Sequence, residues 1–190
     1  MNLEADKEEV RCFIAVEISA RQQKNLWKQC HDWRLRYDRF RWATPDSYHL
    51  TLAFLGNQPQ IVLPRLTRQL RFALEPVATI TVHIDRLELF PRRRPHVVAA
   101  RIVPAPLLTS LYQRVHEACG ACGIDLPHPE RSFHPHITVA RFRRQSFHDL
   151  SSPLELDLTI PVNSVVLFSS ELRREGAVHR VVERVQLERG

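Results

Sequence analysis

The chain carries the frame His-x-Thr-x-Ala twice, as His49-Leu50-Thr51-Leu52-Ala53 and as His136-Ile137-Thr138-Val139-Ala140. In a strand, residues two apart share a face. His49, Thr51 and Ala53 therefore stand opposite Leu50, Leu52 and Phe54, and His136, Thr138 and Ala140 stand opposite Ile137 and Val139. The apolar faces belong against a core. If the polar faces are set opposite each other, a cleft floor gains two imidazoles and two hydroxyls. Imidazole titrates near neutral pH, so one neutral ring can take a proton while a second, protonated ring supplies one to a leaving oxygen. Threonine hydroxyls can donate to non-bridging phosphate oxygens. The set suits phosphodiester chemistry at a ribose, where a neighbouring oxygen is nucleophile and leaving group. One copy alone reads as an ordinary strand with a locally satisfied histidine. Two copies at matching places in repeated units favour an active site.

The elements that must position these frames follow from pattern. Residues 11–18 are apolar and β-rich, and Ser19 is a helix N-cap for a long helix whose stripe is Leu26, Cys30, Trp33 and Tyr37. Turn chemistry at Thr44-Pro45-Asp46-Ser47 leads into a strand over Tyr48–Leu55 that stops at Gly56-Asn57. A helix after Pro64 buries Leu66, Leu70 and Ala73, and a strand follows over 79–90. The order then recurs. A strand over 96–103 precedes a helix from Pro106 with Leu107, Leu108, Leu111, Val115 and Ala118 on one face and Gly120 as its stop, and the His136 strand comes next. The spacing from mid-strand to motif histidine is 49 − 14 = 35 residues in the first unit and 136 − 98 = 38 in the second. Two related lobes of one α+β domain are expected, with residues 1–10 flexible and strands over 155–170 and 177–187 completing the sheets.

Composition narrows the class. At 190 residues, with 44% apolar and 25% charged, the chain can build one sizeable core. No apolar run approaches the roughly 20 residues of a membrane span, and MNLEADKEEV lacks the features of a signal peptide. A cytoplasmic protein without a membrane partner is expected. The net charge of +6 and pI near 9.6 reflect arginine clusters such as 91–96, PRRRPH, and 141–144, RFRR. Scattered arginine keeps a surface soluble, but a polyanion or phosphate ligand also suits this balance. Cys119 and Cys122 form a CxxC at the end of an apolar helical stripe, so they read as buried small hydrophobes rather than a metal or redox pair. His134 shares parity with His136, but Pro135 and the lack of a carboxylate partner argue against a metal pair. His31 and His116 fall on helices, His128 and His148 in loops, with surface or packing roles. Alternation puts Phe54 in the core and leaves Trp42 and Phe133 as candidate rim contacts for a base.

The segments HLTLAFLG at 49–56 and FHPHITVAR at 133–141 resemble the paired signatures of the two-histidine (2H) phosphoesterase superfamily. They are most similar to the RNA 2′,3′-cyclic phosphodiesterases, also called 2′-5′ RNA ligases. The resemblance runs from Arg11 through residues 41–56 to Arg141. It implies a bilobal α+β fold in which two pseudo-symmetric lobes with antiparallel sheets flank a central cleft, helices outside. The implied reaction is hydrolysis of an RNA-terminal 2′,3′-cyclic phosphate to a 2′-phosphate without metal, with a capacity to join or reverse 2′-5′ linkages; a monomer that needs no cofactor is expected. The resemblance makes His49 the general acid, His136 the general base, Thr51 and Thr138 the phosphate-holding hydroxyls and Arg141 a phosphate or RNA contact. One position departs: in Gly176-Ala-Val-His179 the histidine stands where relatives commonly have tyrosine, which bears on substrate preference. Two other readings are a cyclic phosphodiesterase of small nucleotides and a non-catalytic RNA-binding module.

Overall fold

A computed structural model describes residues 8–126, 133–143, 153–173 and 176–188. His128, His148 and Arg144 of the second arginine cluster lie outside the described residues, as do residues 1–7. The elements run β1 (Glu9–Glu17), α1 (Ala20–Gln29), α2 (His31–Arg36), β2 (Arg41–Trp42), β3 (His49–Pro59), α3 (Leu63–Leu74), β4 (Ile80–Phe90) and β5 (Val97–Ile102). Then come α4 (Pro106–Ala121), β6 (His136–Arg141), β7 (Leu154–Val162), β8 (Ser164–Arg173) and β9 (Gly176–Gln186). The fold is α+β, as the sequence pattern predicts. No helix among the described residues is long and apolar enough to cross a membrane.

The strands form one nine-stranded sheet in the order β7-β4-β5-β6-β3-β1-β8-β9, with β2 pairing on β6. All pairings between these strands are antiparallel. The repeat seen in the sequence is realised as topology: β3 returns along β1 in the first unit, and β6 returns along β5 in the second. The halves meet where β3 and β6 pair at Leu50 and Ile137. The two histidine frames therefore stand side by side on neighbouring strands, not opposite each other across separate sheets.

The other side of the strands is apolar and joins the helices in one core. Leu50, Leu52, Ile137 and Val139 lie in the same buried cluster as Leu26 of α1, Leu66 and Leu70 of α3, and Leu111 and Val115 of α4. Each such side chain contributes roughly 1.5–3 kcal/mol by leaving water. The motif strands are thus anchored from behind, on the side away from the histidines. Cys30, Cys119 and Cys122 are buried free thiols within this core, and burial pushes the Cys119 thiol up to about 12.

Several boundaries differ from the pattern reading. β1 already begins at Glu9, inside the segment expected to be flexible. Ser19 does cap α1, its Oγ accepting from the Gln22 backbone N–H, but the expected long helix is divided at Cys30. The Arg34 N–H still bonds the Cys30 carbonyl at 3.0 Å, so the stripe Leu26, Cys30, Trp33 passes through the break and stays buried. On α3 the third buried residue is Leu74 rather than Ala73. On α4, Leu107 is exposed and Gly120 is helical; Gly123, with φ of 72°, follows the Cys122 cap and ends the helix.

Gly56 does not stop β3, which continues to Pro59. It sits inside the strand with φ of 69°, where the pairing with β1 steps from Phe13–Phe54 to Cys12–Gly56. A glycine at positive φ in a strand is a common bulge device.

Candidate active site

The geometry of the site begins with how β3 and β6 are paired. Leu50 and Ile137 are the registered pair between them, and the neighbours of that pair, His49 and Thr51 on β3 and His136 and Thr138 on β6, turn to the opposite side of the sheet. Directly opposed residues on antiparallel strands present their side chains to the same face. The four polar residues therefore share one face, on either side of the Leu50–Ile137 pair.

Both rings are held in the same way. His49 Nδ1–H donates to the Ser47 carbonyl at 2.8 Å, and His136 Nδ1–H donates to the His134 carbonyl at 2.8 Å. A carbonyl can only accept, so each Nδ1 must carry the proton and each neutral ring keeps its Nε2 lone pair for a ligand. His96 makes a similar bond to the Arg94 carbonyl at 3.1 Å. This bond alone therefore marks no special histidine; the shared face of the two frames does.

Burial is the main cause of the electrostatics. It lowers the His49 pKa to about 4, opposed by the hydrogen bond to Ser47 and reinforced by the nearby positive charges of His179, Arg141 and His136. His136 is lowered as well, again by burial first, with His134 and Arg141 adding and Glu88 opposing. Both rings are thus biased toward the neutral state. Arg141 acts on both rings, so its charge lies near each frame.

Parity does not bring Arg141 there, since it lies an odd number of residues from His136. The pairing of β6 with β5 joins Ala99 to Thr138 and Val98 to Ala140, passing over Val139. The pairing of β3 with β1 likewise joins Ala15 to Thr51 and Ile14 to Ala53, passing over Leu52. The fourth residue of each frame is therefore an extra residue in its strand, a bulge in the same place in both units. Beyond each bulge the faces exchange. The Ala of each frame turns to the core, and the sixth residue, Phe54 in one unit and Arg141 in the other, turns to the histidine face.

This corrects the assignment of Phe54 to the core. Its ring is 60% exposed and lies 6.3 Å from that of Phe13. It also corrects Ala53 and Ala140, which are 4% and 0% exposed and pack behind the sheet. The candidate rim aromatics prove to be packed: Trp42 pairs with Ala140 and donates its indole N–H to the Tyr37 carbonyl at 3.0 Å, and Phe133 stacks on Tyr112 with ring centres 4.1 Å apart. His116 has a definite task. Its Nε2–H donates to the carbonyl of Leu52 at 3.1 Å, so α4 satisfies the backbone group at the first bulge.

The sequence pattern does not disclose an aromatic wall beside the rings. Phe13 lies 5.0 Å from His49 and 4.8 Å from His179, and the His179 ring is set edge-on to His49 at 5.7 Å. The Nδ1 of His179 is buried without a hydrogen-bond partner. On the other side Phe90 lies 4.7 Å from His136. The pairing Glu17–His49 implies by alternation that Phe13 shares the histidine face, a signal available only once β1 is known to pair with β3.

The model of the 2′-5′ RNA ligase superfamily matches residues 23–174. The chain is 27% identical over 154 residues to the RNA 2′,3′-cyclic phosphodiesterase of Aquifex aeolicus, covering 77% of this chain and 81% of that protein. It is 30% identical over 147 residues to the protein of the same name from Thermus thermophilus, covering 75% and 73%. Among solved structures, TT0787 of Thermus thermophilus superposes with a TM-score of 0.79 at 27% identity, covering 94% of this chain and 98% of that one. E. coli LigT complexed with 3′-AMP superposes with a TM-score of 0.75 at 25% identity, covering 95% and 99%.

Proposed function

The chain belongs to the 2′-5′ RNA ligase superfamily, and from that premise we propose that it hydrolyses RNA-terminal 2′,3′-cyclic phosphate to a 2′-phosphate, with His49 and His136 as the acid–base pair. The observation that carries this reading is the shared face of the two frames, with both Nδ1–H groups committed to backbone carbonyls and both Nε2 atoms left for the substrate. The names of the relatives supply the substrate class.

The steps follow from the roles. His136 takes a proton from water as its oxygen attacks phosphorus. The bond from phosphorus to the ribose 3′ oxygen breaks, and His49 gives its proton to that oxygen, leaving a 2′-phosphate and a 3′ hydroxyl. Thr51 and Thr138 donate to the non-bridging oxygens, and Arg141 adds a fixed positive charge where the phosphate sits. A 5′ hydroxyl in the place of water gives the 2′-5′ joining reaction.

Without its substrate His49 is held neutral, because burial above all, together with the Arg141 charge, disfavours its protonated form. A phosphate anion bound between the rings favours their charged forms and raises the pKa of both histidines. The substrate itself thus charges the acid. We place this activity in a single bilobal unit acting as a monomer in the cytoplasm, without a bound metal or cofactor.

The test is incubation of the protein and chelator with an oligoribonucleotide ending in a 2′,3′-cyclic phosphate, with the product mapped. A 2′-phosphate is expected. A 3′-phosphate would reverse the regiochemistry. No turnover of RNA together with turnover of a nucleoside cyclic phosphate would favour the small-nucleotide reading, and no turnover of either would favour RNA binding without catalysis.

A further inference from the structure

Beside His136 the surface opens into a cavity of about 1000 Å³ between the loop joining β4 to β5 and the segment preceding β6. Its volume is at the upper limit of the roughly 300–1,000 Å³ typical of sites for one small ligand. Phe90 forms a wall against His136, and Arg92, Arg93 and Arg94 line the loop side. These three arginines are exposed and, among the described residues, have no acidic partner.

Arg101, which also lines the cavity, is different. It is paired with Asp85, whose carboxyl it holds down to about 2, and Arg86 pairs with the same carboxylate. Glu88, the acid lining the cavity, acts on Arg101 and His136. The positive charge left over is therefore concentrated on the loop. That loop is tied at its base, where the His96 N–H bonds the Phe90 carbonyl at 3.1 Å, and Val97 pairs with both Phe90 and Arg141. The triple-arginine loop thus rises next to the strand that carries Arg141.

A ribose whose 2′ and 3′ oxygens are closed into a cyclic phosphate can continue only through its 5′ oxygen. We propose that this cavity is a subsite for the single-stranded RNA on the 5′ side of the reacting nucleotide, with Arg92, Arg93 and Arg94 on its phosphates and Phe90 beneath a base. This inference rests on the reading of the reaction given above and deepens it, making an oligonucleotide the preferred substrate over a mononucleotide. Arginine suits phosphate oxygens, and an aromatic face accepts any base, so the subsite binds RNA without reading its sequence.

The test compares wild type with the Arg92→Ala/Arg93→Ala/Arg94→Ala variant on a nucleoside 2′,3′-cyclic phosphate and on an oligoribonucleotide with the same end. Binding of a labelled oligoribonucleotide 2′-phosphate is followed in parallel by fluorescence anisotropy. A control variant, Arg21→Ala/Lys24→Ala/Lys28→Ala, removes equal charge from the exposed face of α1. The arginine variant should raise the oligonucleotide KM about tenfold, leave mononucleotide turnover unchanged, and flatten the salt dependence of log Kd by about 2, from about 0.7 per neutralised phosphate. The control should do none of these. Wild-type oligonucleotide KM and salt slope in the arginine variant, or an equal effect in the control, would overturn the subsite. If no substrate is turned over, the anisotropy arm still decides: weaker binding in the arginine variant alone upholds the subsite while the hydrolysis reading falls.

Discussion

Leu50 and Ile137 face each other as a registered pair between β3 and β6, and the two histidine frames are disposed about that pair by a local two-fold relationship. Both residues point into the core, 1% and 0% exposed. The pair that joins the halves of the molecule is thus also the one that sets the spacing of the site. Replacing either leucine-sized side chain by alanine should cost about 2–5 kcal/mol, and the loss is expected in activity as well as in thermal stability.

Removing either ring should stop the chemistry. His49→Ala and His136→Ala are each expected to lower kcat by at least about a hundredfold, the usual scale of general acid–base catalysis. Thermal unfolding should change little, because neither side chain fills the core. A single variant retaining nearly full activity would mean that the ring concerned takes no part in proton transfer. Activity lost in chelator and restored by a divalent ion would remove the metal-free pathway.

The pH dependence has a definite sign. A general base must be neutral, so its usable fraction falls below its pKa; a general acid must be protonated, so its usable fraction falls above its pKa. Burial lowers both rings below the usual 6.5 in the free protein, His49 to about 4. Because kcat/KM reports the free enzyme, it should peak on the acid side of 6.5 and decline as pH rises through neutrality. The kcat profile reports the occupied site, where the phosphate anion raises both rings, and should hold to higher pH. Steady-state kinetics from acid to alkaline pH would show whether the two profiles separate, and coincident profiles would remove the role given to the substrate charge.

Arg141 offers a test of geometry against charge. Arg141→Lys keeps the cation but loses the planar fork that can hold two phosphate oxygens together. The lysine variant is expected to recover part of the loss caused by Arg141→Ala, with the remaining deficit greater in kcat than in KM if the fork acts mainly on the transition state.

His116 should behave as a structural residue. Its replacement by phenylalanine leaves the Leu52 carbonyl at the bulge without its bond, a loss of about 1–3 kcal/mol for a buried group. Unfolding in urea should show this as a lower midpoint with an unchanged slope. A variant as stable as the parent would show that the bulge is held by strand pairing alone.

The order of strands and helices, the two motif strands and the apolar surfaces behind them are all legible in the sequence, because alternation and helical periodicity are local. Leu50, Leu52, Ile137 and Val139 lie in the core as that periodicity requires. Each motif histidine shares a face with the threonine of its own frame for the same reason. The break at Cys30 and the end of α4 at Gly123 are not legible, since the apolar stripe of a helix continues smoothly through such points.

What only the tertiary structure decided lies beyond the fourth residue of each frame. Strict alternation assigns Phe54 to the core and leaves Arg141 off the histidine face. The bulges at Leu52 and Val139 reverse both, and a bulge exists only as a mismatch between two paired strands, here β3 with β1 and β6 with β5. The Phe13 and His179 rings beside His49, and the triple-arginine loop beside His136, likewise come from strands far apart in the chain. The sequence by itself determined which side chains could move protons, since each frame carries its own face. Which charges and rings surround them was decided by strand pairing, because a register is a property of two segments and cannot be read from either one alone.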